Sequence, residues 1–398
     1  LIRLLHLADL HLGWPPRFIA DPTVAQSYAE ARWGVFDAAV AAALDPTNRI
    51  DAVVIAGDLF DDHRPASALV ERVIAGLARV CAHGIALLTV PGNHDEITYG
   101  DSVYRTYAGR WPGILVNSPA LNHVASLRLG PEAVHFYGLA YTGGITEVQR
   151  PLASFPRLDQ PGVHIAVIHG TVTGSGQTGW VVQERSLPLD GAALAAAGYD
   201  YIALGHIHRP GVAPAAGNQR AVYAGLVAGR GFDDPGCGKL TVASIGAPGQ
   251  LPQLSYLPVD LPAVTRQPAR LDGAVSQPDA ITQLTSQLNS VPAGALVEVE
   301  LSGVISQALD TEALAAALTA VTPAAYVVVR DRTSLLAADQ VRRWAEETTL
   351  RGFFVRRLLE AADGSVQDDG CAADAADRQQ LAERALRYGL AALERGRR

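Results

Sequence analysis

The chain has 398 residues, 48% of them hydrophobic, and a formal net charge of −8 at neutral pH. That length supports two domains and a sizeable core, and that hydrophobic content excludes a disordered chain. The negative balance excludes a global attraction to nucleic acid, so any such binding must use a metal or local patches, and with Lys239 the only lysine those patches must be arginine.

In chain order, Ile2 to Ala8 reads as an apolar strand that ends in Asp9-Leu10-His11. Thr23 to Leu44 reads as a helix, with Ala25, Tyr28, Ala29, Trp33, Phe36, Val40 and Leu44 at three- and four-residue spacing, stopped by Asp45-Pro46. Ala52 to Ala56 is a continuous apolar strand of the kind buried on both faces of a parallel sheet, and it runs into Gly57-Asp58. A helix to Ala82 follows, then a strand, Ile85 to Val90, that Pro91-Gly92 turns into Asn93-His94-Asp95. The pattern to this point is βαβαβ, with polar clusters at each strand's carboxyl end, where open α/β sheets bind ligands.

Short strands are then predicted at Val124–Leu129, Val134–Leu139, His164–Ile168 (ending in His169) and Tyr201–Leu204 (ending in Gly205-His206-Ile207-His208). Three more, near Ala221–Ala224, Leu240–Ile245 and Leu254–Val259, read as meander pieces of the second half of a sandwich. From Leu261 to Asp272 the sequence turns irregular and Pro-containing, a domain boundary. A small α+β module follows: helix Asp279–Leu288, strand Leu296–Leu301, helix Thr311–Ala320, strand Tyr326–Arg330. A helical region from Leu335 to Ala361, an acidic linker (Asp363, Asp368, Asp369, Asp374, Asp377) and a last helix from Arg378 to Glu394 complete the reading. The expected domains are thus 1–260, 261–334 and 335–398. No apolar run approaches the ~20 residues that span a bilayer. The N-terminal run lacks a signal peptide's layout, and Cys81, Cys237 and Cys371 lie outside any CxxC, so the expected compartment is cytoplasmic.

Five polar clusters end five apolar strands: Asp9/His11, Asp58/Asp61, Asn93/His94/Asp95, His169 and His206/His208. Imidazoles mixed with carboxylates suit Mn, Fe or Zn, whereas Mg and Ca prefer oxygen alone. In Asp9-x-His11 and His206-x-His208 an extended backbone would point both side chains the same way. His6, His63, His83, His123, His135 and His164 lack such partners and read as surface or core residues, with His63 close to Asp58.

In order and spacing the five clusters resemble the calcineurin-like metallophosphoesterases. The resemblance implies a four-layer αββα domain with a small α+β capping domain and C-terminal helices. It also implies two divalent metal ions, Mn²⁺ first and Fe or Zn as alternatives. Asp9, His11, Asp58 and His208 would hold one metal. Asp58, bridging, with Asn93, His169 and His206 would hold the other. His94 would stabilise the transition state and protonate the leaving oxygen, while a hydroxide between the metals attacks phosphorus.

Leu5–Gly13, Ala56–Asp61 with Arg64-Pro65, and Ala203–His208 resemble the DNA-repair branch, the SbcD-type nucleases and their relatives. Tyr223-Ala224-Gly225, Gly229-Arg230 and Pro235–Lys239 are similar to the segment that closes the nuclease domain there, and Thr349–Arg356 resembles the YhaO-like subgroup. The branch implies a DNA exonuclease working with an SMC-like ATPase, with a homodimer left open. Archaeal and eukaryotic members carry a histidine where this chain has Asp61, as the bacterial SbcD type does, which favours exonuclease over endonuclease action. Arg342, Arg343, Arg351, Arg356 and Arg357 read either as phosphate contacts or, with Glu346, Glu347 and Glu360 interspersed, as a solvated helix face. Leu381, Ala385, Tyr388 and Leu393 form a stripe that could meet a coiled coil or pack on the cap. Two rival readings stand beside this one: a small-substrate phosphoesterase (a nucleotide or phosphomonoester hydrolase), and a non-catalytic scaffold with structural metals.

Overall fold

A computed structural model describes residues 1–143, 152–174, 186–213, 219–271, 276–305, 307–335 and 338–362, together with Ala385, Tyr388 and Gly389. The chain divides into two compact units, Leu1–Pro262 and Ala263–Arg398.

The first unit begins β1 (Ile2–Leu7), α1 (Pro22–Leu44), β2 (Ala52–Ala56), α2 (Ser67–Ala82), β3 (Ala86–Val90), β4 (Ile114–Leu115). Asp21 caps α1 by accepting from the Thr23 and Val24 amides, and Pro22 fills the first turn, where a missing N–H costs nothing. After β4 come β5 (Asn122–Leu129), β6 (Glu132–Gly138), β7 (Val163–His169), β8 (Thr171–Thr173), β9 (Pro188–Asp190), β10 (Tyr201–Gly205), β11 (Gly211–Val212), β12 (Ala221–Tyr223), β13 (Lys239–Ile245) and β14 (Gln253–Pro258).

Two six-stranded sheets result, in the orders β14-β13-β1-β2-β3-β4 and β11-β12-β10-β7-β6-β5. They share one core, in which Val134, Phe136, Val163, Ile165, Val167, Tyr201 and Ala203 of the second sheet join residues of the first. The period of two is visible in β7 and β10. Their alternate residues, Ala166, Ile168, Ile202 and Leu204, enter a second core with Leu187, Leu189, Leu194 and Tyr199. Val35, Phe36, Val40, Leu69, Val73 and Leu77 of α1 and α2 cover the outer face of the first sheet. Over the second sheet lie the helix Gly191–Ala196, the β8–β9 pair and the side chains of Leu152, Phe155 and Leu158. The layers are therefore αββα.

Two readings are corrected here. β13 and β14 do not extend the second sheet; β13 runs antiparallel to β1, with Ile2 opposite Ile245 and His6 opposite Thr241. An apolar strand as buried as β1 cannot serve as an edge, so β13 covers it and the more polar, largely exposed β14 takes the edge. The stretch from Leu261 is not irregular either, because Val264–Arg270 is a strand. It sits at the edge of a parallel three-stranded sheet with Leu296–Ser302 and Tyr326–Asp331, and an edge tolerates Pro268.

That sheet organises the second unit. The helices Gln277–Leu288 and Thr311–Val321 bury Leu284, Leu288, Leu314 and Leu318 in a core with Val297, Val299 and Leu301. Leu335 belongs to a short strand with Ser334, and the helical region is two helices, Ala338–Ala345 and Leu350–Ala362. Arg356 donates to the carbonyls of Ala345 and Glu347, closing the end of the first. Arg351 pairs with Glu347 and covers the Trp344 ring, and Arg357 lies 3.9 Å from Glu360, so Arg351, Arg356 and Arg357 each have an intramolecular partner. Tyr388 packs with Val341, Trp344 and Val355 and lies under Arg270. The acidic linker, and the last helix apart from Ala385, Tyr388 and Gly389, lie outside the described residues.

His6 is a core histidine whose Nδ1 lies 2.9 Å from the Tyr201 hydroxyl across the two sheets. Burial pushes its pKa down from 6.5 to about 3. Between those values the unfolded chain binds a proton that the folded one refuses. Its contribution is therefore fully present above pH 6.5 and is lost as pH falls towards 3, at up to ~1.4 kcal/mol per pH unit. In urea titrations the stability of His6→Gln should fall less steeply than wild type between pH 7 and 5; parallel slopes would show that His6 carries none of the dependence.

Candidate metal centre

Five strands deliver their ends to one place. β1, β2 and β3 run parallel in the first sheet, and β7 and β10 run parallel in the second. Beyond those ends the backbone is not extended. Asp9 (φ 54°), His11 (φ 44°), Asp58 (φ 52°) and His206 (φ 93°) lie in the left-handed region, and among the described residues Arg49 alone joins them as a non-glycine there. Each such residue costs on the order of 1–3 kcal/mol and persists where its surroundings over-determine it. The i, i+2 rationale for Asp9-x-His11 and His206-x-His208 is therefore corrected. Strained turns aim these side chains, not a pleated strand. Two glycines are required by close approach: a Cβ on Gly92 would lie 2.2 Å from Asp58 Oδ1, and one on Gly205 2.0 Å from the Ala56 carbonyl.

All seven sequence-derived candidate ligands meet. Ligand atoms of Asp9, His11 and His208 lie within 4.8 Å of one another, as do those of Asp9, Asp58 and His169, and those of His11, Asp58 and His94. Asn93 Oδ1 sits 2.8 Å from His169 Nε2 and 3.0 Å from His206 Nδ1. His11 Nε2 faces His208 Nε2 at 3.3 Å, and Asp58 Oδ2 lies 3.7 Å from His11 Nε2 and 3.5 Å from His169 Nε2. Asp9, His11, Asp58, Asn93 and His169 are buried, and His206 and His208 close the open side.

Charge explains why the cluster suits cations. Burial opposes the ionised form of Asp58, but His169, then His11 and His94, outweigh it and hold the carboxyl well below its usual range. Burial likewise opposes a proton on His169, yet Asp58 and Asp9 prevail and raise it to about 9. His11, at about 4, and His206, at about 3, are kept neutral chiefly by burial. His208 is raised despite burial because Asp234 faces it. On His169 the site thus holds a proton where a metal ion's charge would serve. Nitrogen and carboxylate donors fit a divalent transition metal.

Supporting groups fix the histidine tautomers. His169 Nδ1 donates to the Ala56 carbonyl (2.9 Å) and His208 Nδ1 to Asp234 Oδ2 (2.7 Å), which leaves each Nε2 turned to the centre. Asp9 accepts from the His206 amide and Asp58 from the His94 amide. His94 Nδ1 donates to the Asp61 carbonyl (3.0 Å), and its side chain is 30% exposed. Asp95 is wholly buried and braces the turn, accepting from the Gly92 and Phe60 amides and the Tyr104 hydroxyl; burial lifts its pKa to about 6. Asp61 Oδ1 lies 3.2 Å from His11 Nδ1 and 3.5 Å from His94 Nδ1. His63, by contrast, stacks on Tyr99 and joins none of the ligand groups.

Residues 2–210, more than half of the chain, match the family model for calcineurin-like phosphoesterases. The chain belongs to that family. This metallophosphoesterase, a hydrolase of phosphoester bonds, is 28% identical over 405 residues to the SbcD component of the nuclease SbcCD of Escherichia coli (strain K12), covering 92% of this chain and 95% of that one. It is 26% identical to the uncharacterized metallophosphoesterase YhaO of Bacillus subtilis over 59% of this chain and 55% of YhaO. It is 37% identical to the DNA double-strand break repair protein Mre11 of Haloferax volcanii over 25% of this chain and 20% of Mre11. The family uses divalent metals, and the His/Asp groups above are the chain's candidates for them. The role of Asp234 was not legible in the sequence because it lies 26 residues beyond His208. Asp234→Asn should weaken metal affinity about 10–100-fold without unfolding the chain, the usual effect of removing an orienting partner. Competition with a chromogenic chelator measures it, and unchanged affinity would show that Asp234 does not orient a ligand.

Proposed function

We propose that this metallophosphoesterase is a DNA nuclease that hydrolyses phosphodiester bonds at DNA ends, with two divalent ions, Mn²⁺ first, as cofactors. The observation that carries this reading is the meeting of seven candidate ligands and His94 at five strand ends, in a chain alignable over nearly its whole length with a component of a nuclease. Asp9, His11, Asp58 and His208 would hold one ion, and Asp58, Asn93, His169 and His206 the other. When bound, the ions supply Lewis-acid activation of water and of the phosphoryl group. The protein's own contribution is to hold lone pairs inward, to keep Asp58 ionised, and to present His94 with Nδ1 tied to the Asp61 carbonyl. That leaves His94 Nε2, carrying the second proton of an imidazolium, to give that proton to the leaving oxygen.

The segment 261–334 would place DNA, and 335–398 would dock an SMC-like ATPase, since a relative matched over nearly its full length is one component of a named complex. A homodimer and a cytoplasmic location belong to the same proposal. Among the described residues no helix is long and apolar enough to cross a membrane.

The test incubates the protein with Mn²⁺ and end-labelled duplex, single-stranded DNA or a chromogenic phosphodiester, with Asp58→Ala as control. Shortening of labelled DNA by wild type alone supports the reading. Hydrolysis of the small ester with untouched DNA would overturn it in favour of a small-substrate enzyme, and equal inertness of both proteins in favour of a scaffold.

A further inference from the structure

The turn Gly229–Pro235 lies beside the candidate metal centre and brings a cation to it. Arg230 Nη1 donates to His11 Nε2 at 3.2 Å, and its Nη2 lies 3.8 Å from Asp61 Oδ1. The guanidinium also covers the Trp14 ring, 5.7 Å from its centroid, and the side chain is 22% exposed. We propose that Arg230 is the phosphate-binding residue of this site, holding a non-bridging oxygen of the substrate's phosphoryl group.

The turn is built to hold that residue. Arg32, a buried arginine on α1, donates to the carbonyls of Ala228 and Gly229, and the Tyr28 hydroxyl donates to the Gly229 carbonyl at 2.9 Å. Two side chains of one helix therefore clamp the backbone immediately before Arg230. The Arg230 amide then donates to the Asp234 carbonyl (2.8 Å) and the Asp234 amide to the Gly231 carbonyl (3.1 Å), closing the turn. A Cβ on Gly229 would lie 2.4 Å from the Pro235 carbonyl, so the turn is tight. Its far end presents Asp234 to His208. One turn thus sends an anion to a candidate ligand and a cation to the open side of the centre.

The contact with His11 explains what the cation is for. A single lone pair on His11 Nε2 cannot both accept from Arg230 and ligate a metal. With a metal bound, the guanidinium gives up that partner while its backbone stays clamped. The carboxylate of Asp61 beside it lies beyond hydrogen-bond distance. The group that brings negative charge to that spot is the phosphoryl group of a phosphoester. A guanidinium fork matches two phosphate oxygens, and an ammonium matches them less well.

This role for Arg230 rests on the phosphoester chemistry of the site and not on DNA as the substrate, and the test keeps the two apart. Calorimetric titration of inorganic phosphate into Mn²⁺-loaded wild type, Arg230→Lys and Arg230→Ala reads binding directly. Hydrolysis of bis(p-nitrophenyl) phosphate and of end-labelled duplex is followed on the same samples, with bound metal assayed. Arg230→Ala should bind phosphate at least tenfold more weakly and show a raised KM for the small diester at unchanged metal content, with Arg230→Lys between the two. Equal phosphate affinity in wild type and Arg230→Ala would overturn the proposal. So would loss of bound metal in Arg230→Ala, which would make the arginine a support of the centre. If Arg230 governs phosphate and the small diester while duplex is untouched by every protein, the arginine assignment stands and the DNA reading falls. If wild type and Arg230→Ala degrade duplex alike and bind phosphate alike, the converse holds.

Discussion

Asp58→Ala is expected to lower phosphodiester hydrolysis by on the order of 10³-fold or more and to strip the centre of metal. Asp58 stands between both halves of the site, within 3.7 Å of His11 Nε2 and 3.5 Å of His169 Nε2. Its other oxygen accepts from the His94 amide, so the same side chain also holds the Gly92–His94 turn. Lewis-acid stabilisation by bound metal is worth several kcal/mol, and about 4 kcal/mol corresponds to roughly 10³ in rate. Without Asp58 the positive charge on His169 loses its main partner, because Asp58 is the foremost group that raises its pKa to about 9. The Ala variant should therefore carry His169 with a markedly lower pKa, visible in histidine NMR titration of the metal-free protein. Activity within about tenfold of wild type at normal metal content would remove Asp58 from the bridging role.

Legibility in the sequence followed the range of the interactions. The apolar runs of β1, β2, β3, β7 and β10 stood out because each is bounded by a polar or glycine-bearing cluster, and these were also the strands that carry the site. What local pattern could not show was pairing over distance. β13 joins β1 from the far end of the first unit, and nothing in its own apolar alternation says which sheet it completes. Val264–Arg270 was hidden by its proline, which weakens a strand signal without forbidding an edge. In the site, residue types were legible but aim was not. Left-handed backbones at Asp9, His11 and His206 do what an extended strand was expected to do, and Asp58 has one too. The Gly229-Arg230 and Pro235 segment stood out by resemblance, but not the contacts of Arg230 and Asp234 with the site, because their partners, His11 and His208, lie far away in sequence. Arg32 shows the same limit: its buried guanidinium is explained by the distant carbonyls of Ala228 and Gly229, with that of Leu10 and the Trp14 ring.

His94 separates the two kinds of loss, in metal and in proton transfer. His94→Gln is expected to retain the fold, since the side chain is 30% exposed and the turn beneath it is held by Asp95 through Gly92, Phe60 and Tyr104. It should also retain bound metal, because Asp9, His11, His169, Asn93, His206 and His208 are untouched. The rate should nonetheless fall, by ~10²–10⁴-fold, the range over which a positioned general acid contributes. The size of the fall should depend on what leaves. A deoxyribose alkoxide needs a proton in the transition state and would show the full loss. A p-nitrophenolate leaves without one and would show far less. Comparing the two substrates on the same metal-loaded variant therefore tests the proton directly. If His94→Gln slows both esters equally, His94 acts by charge or position. If it slows neither, the Nε2 that the Asp61 carbonyl leaves facing the site has no part in the chemistry, and the leaving oxygen takes its proton from solvent.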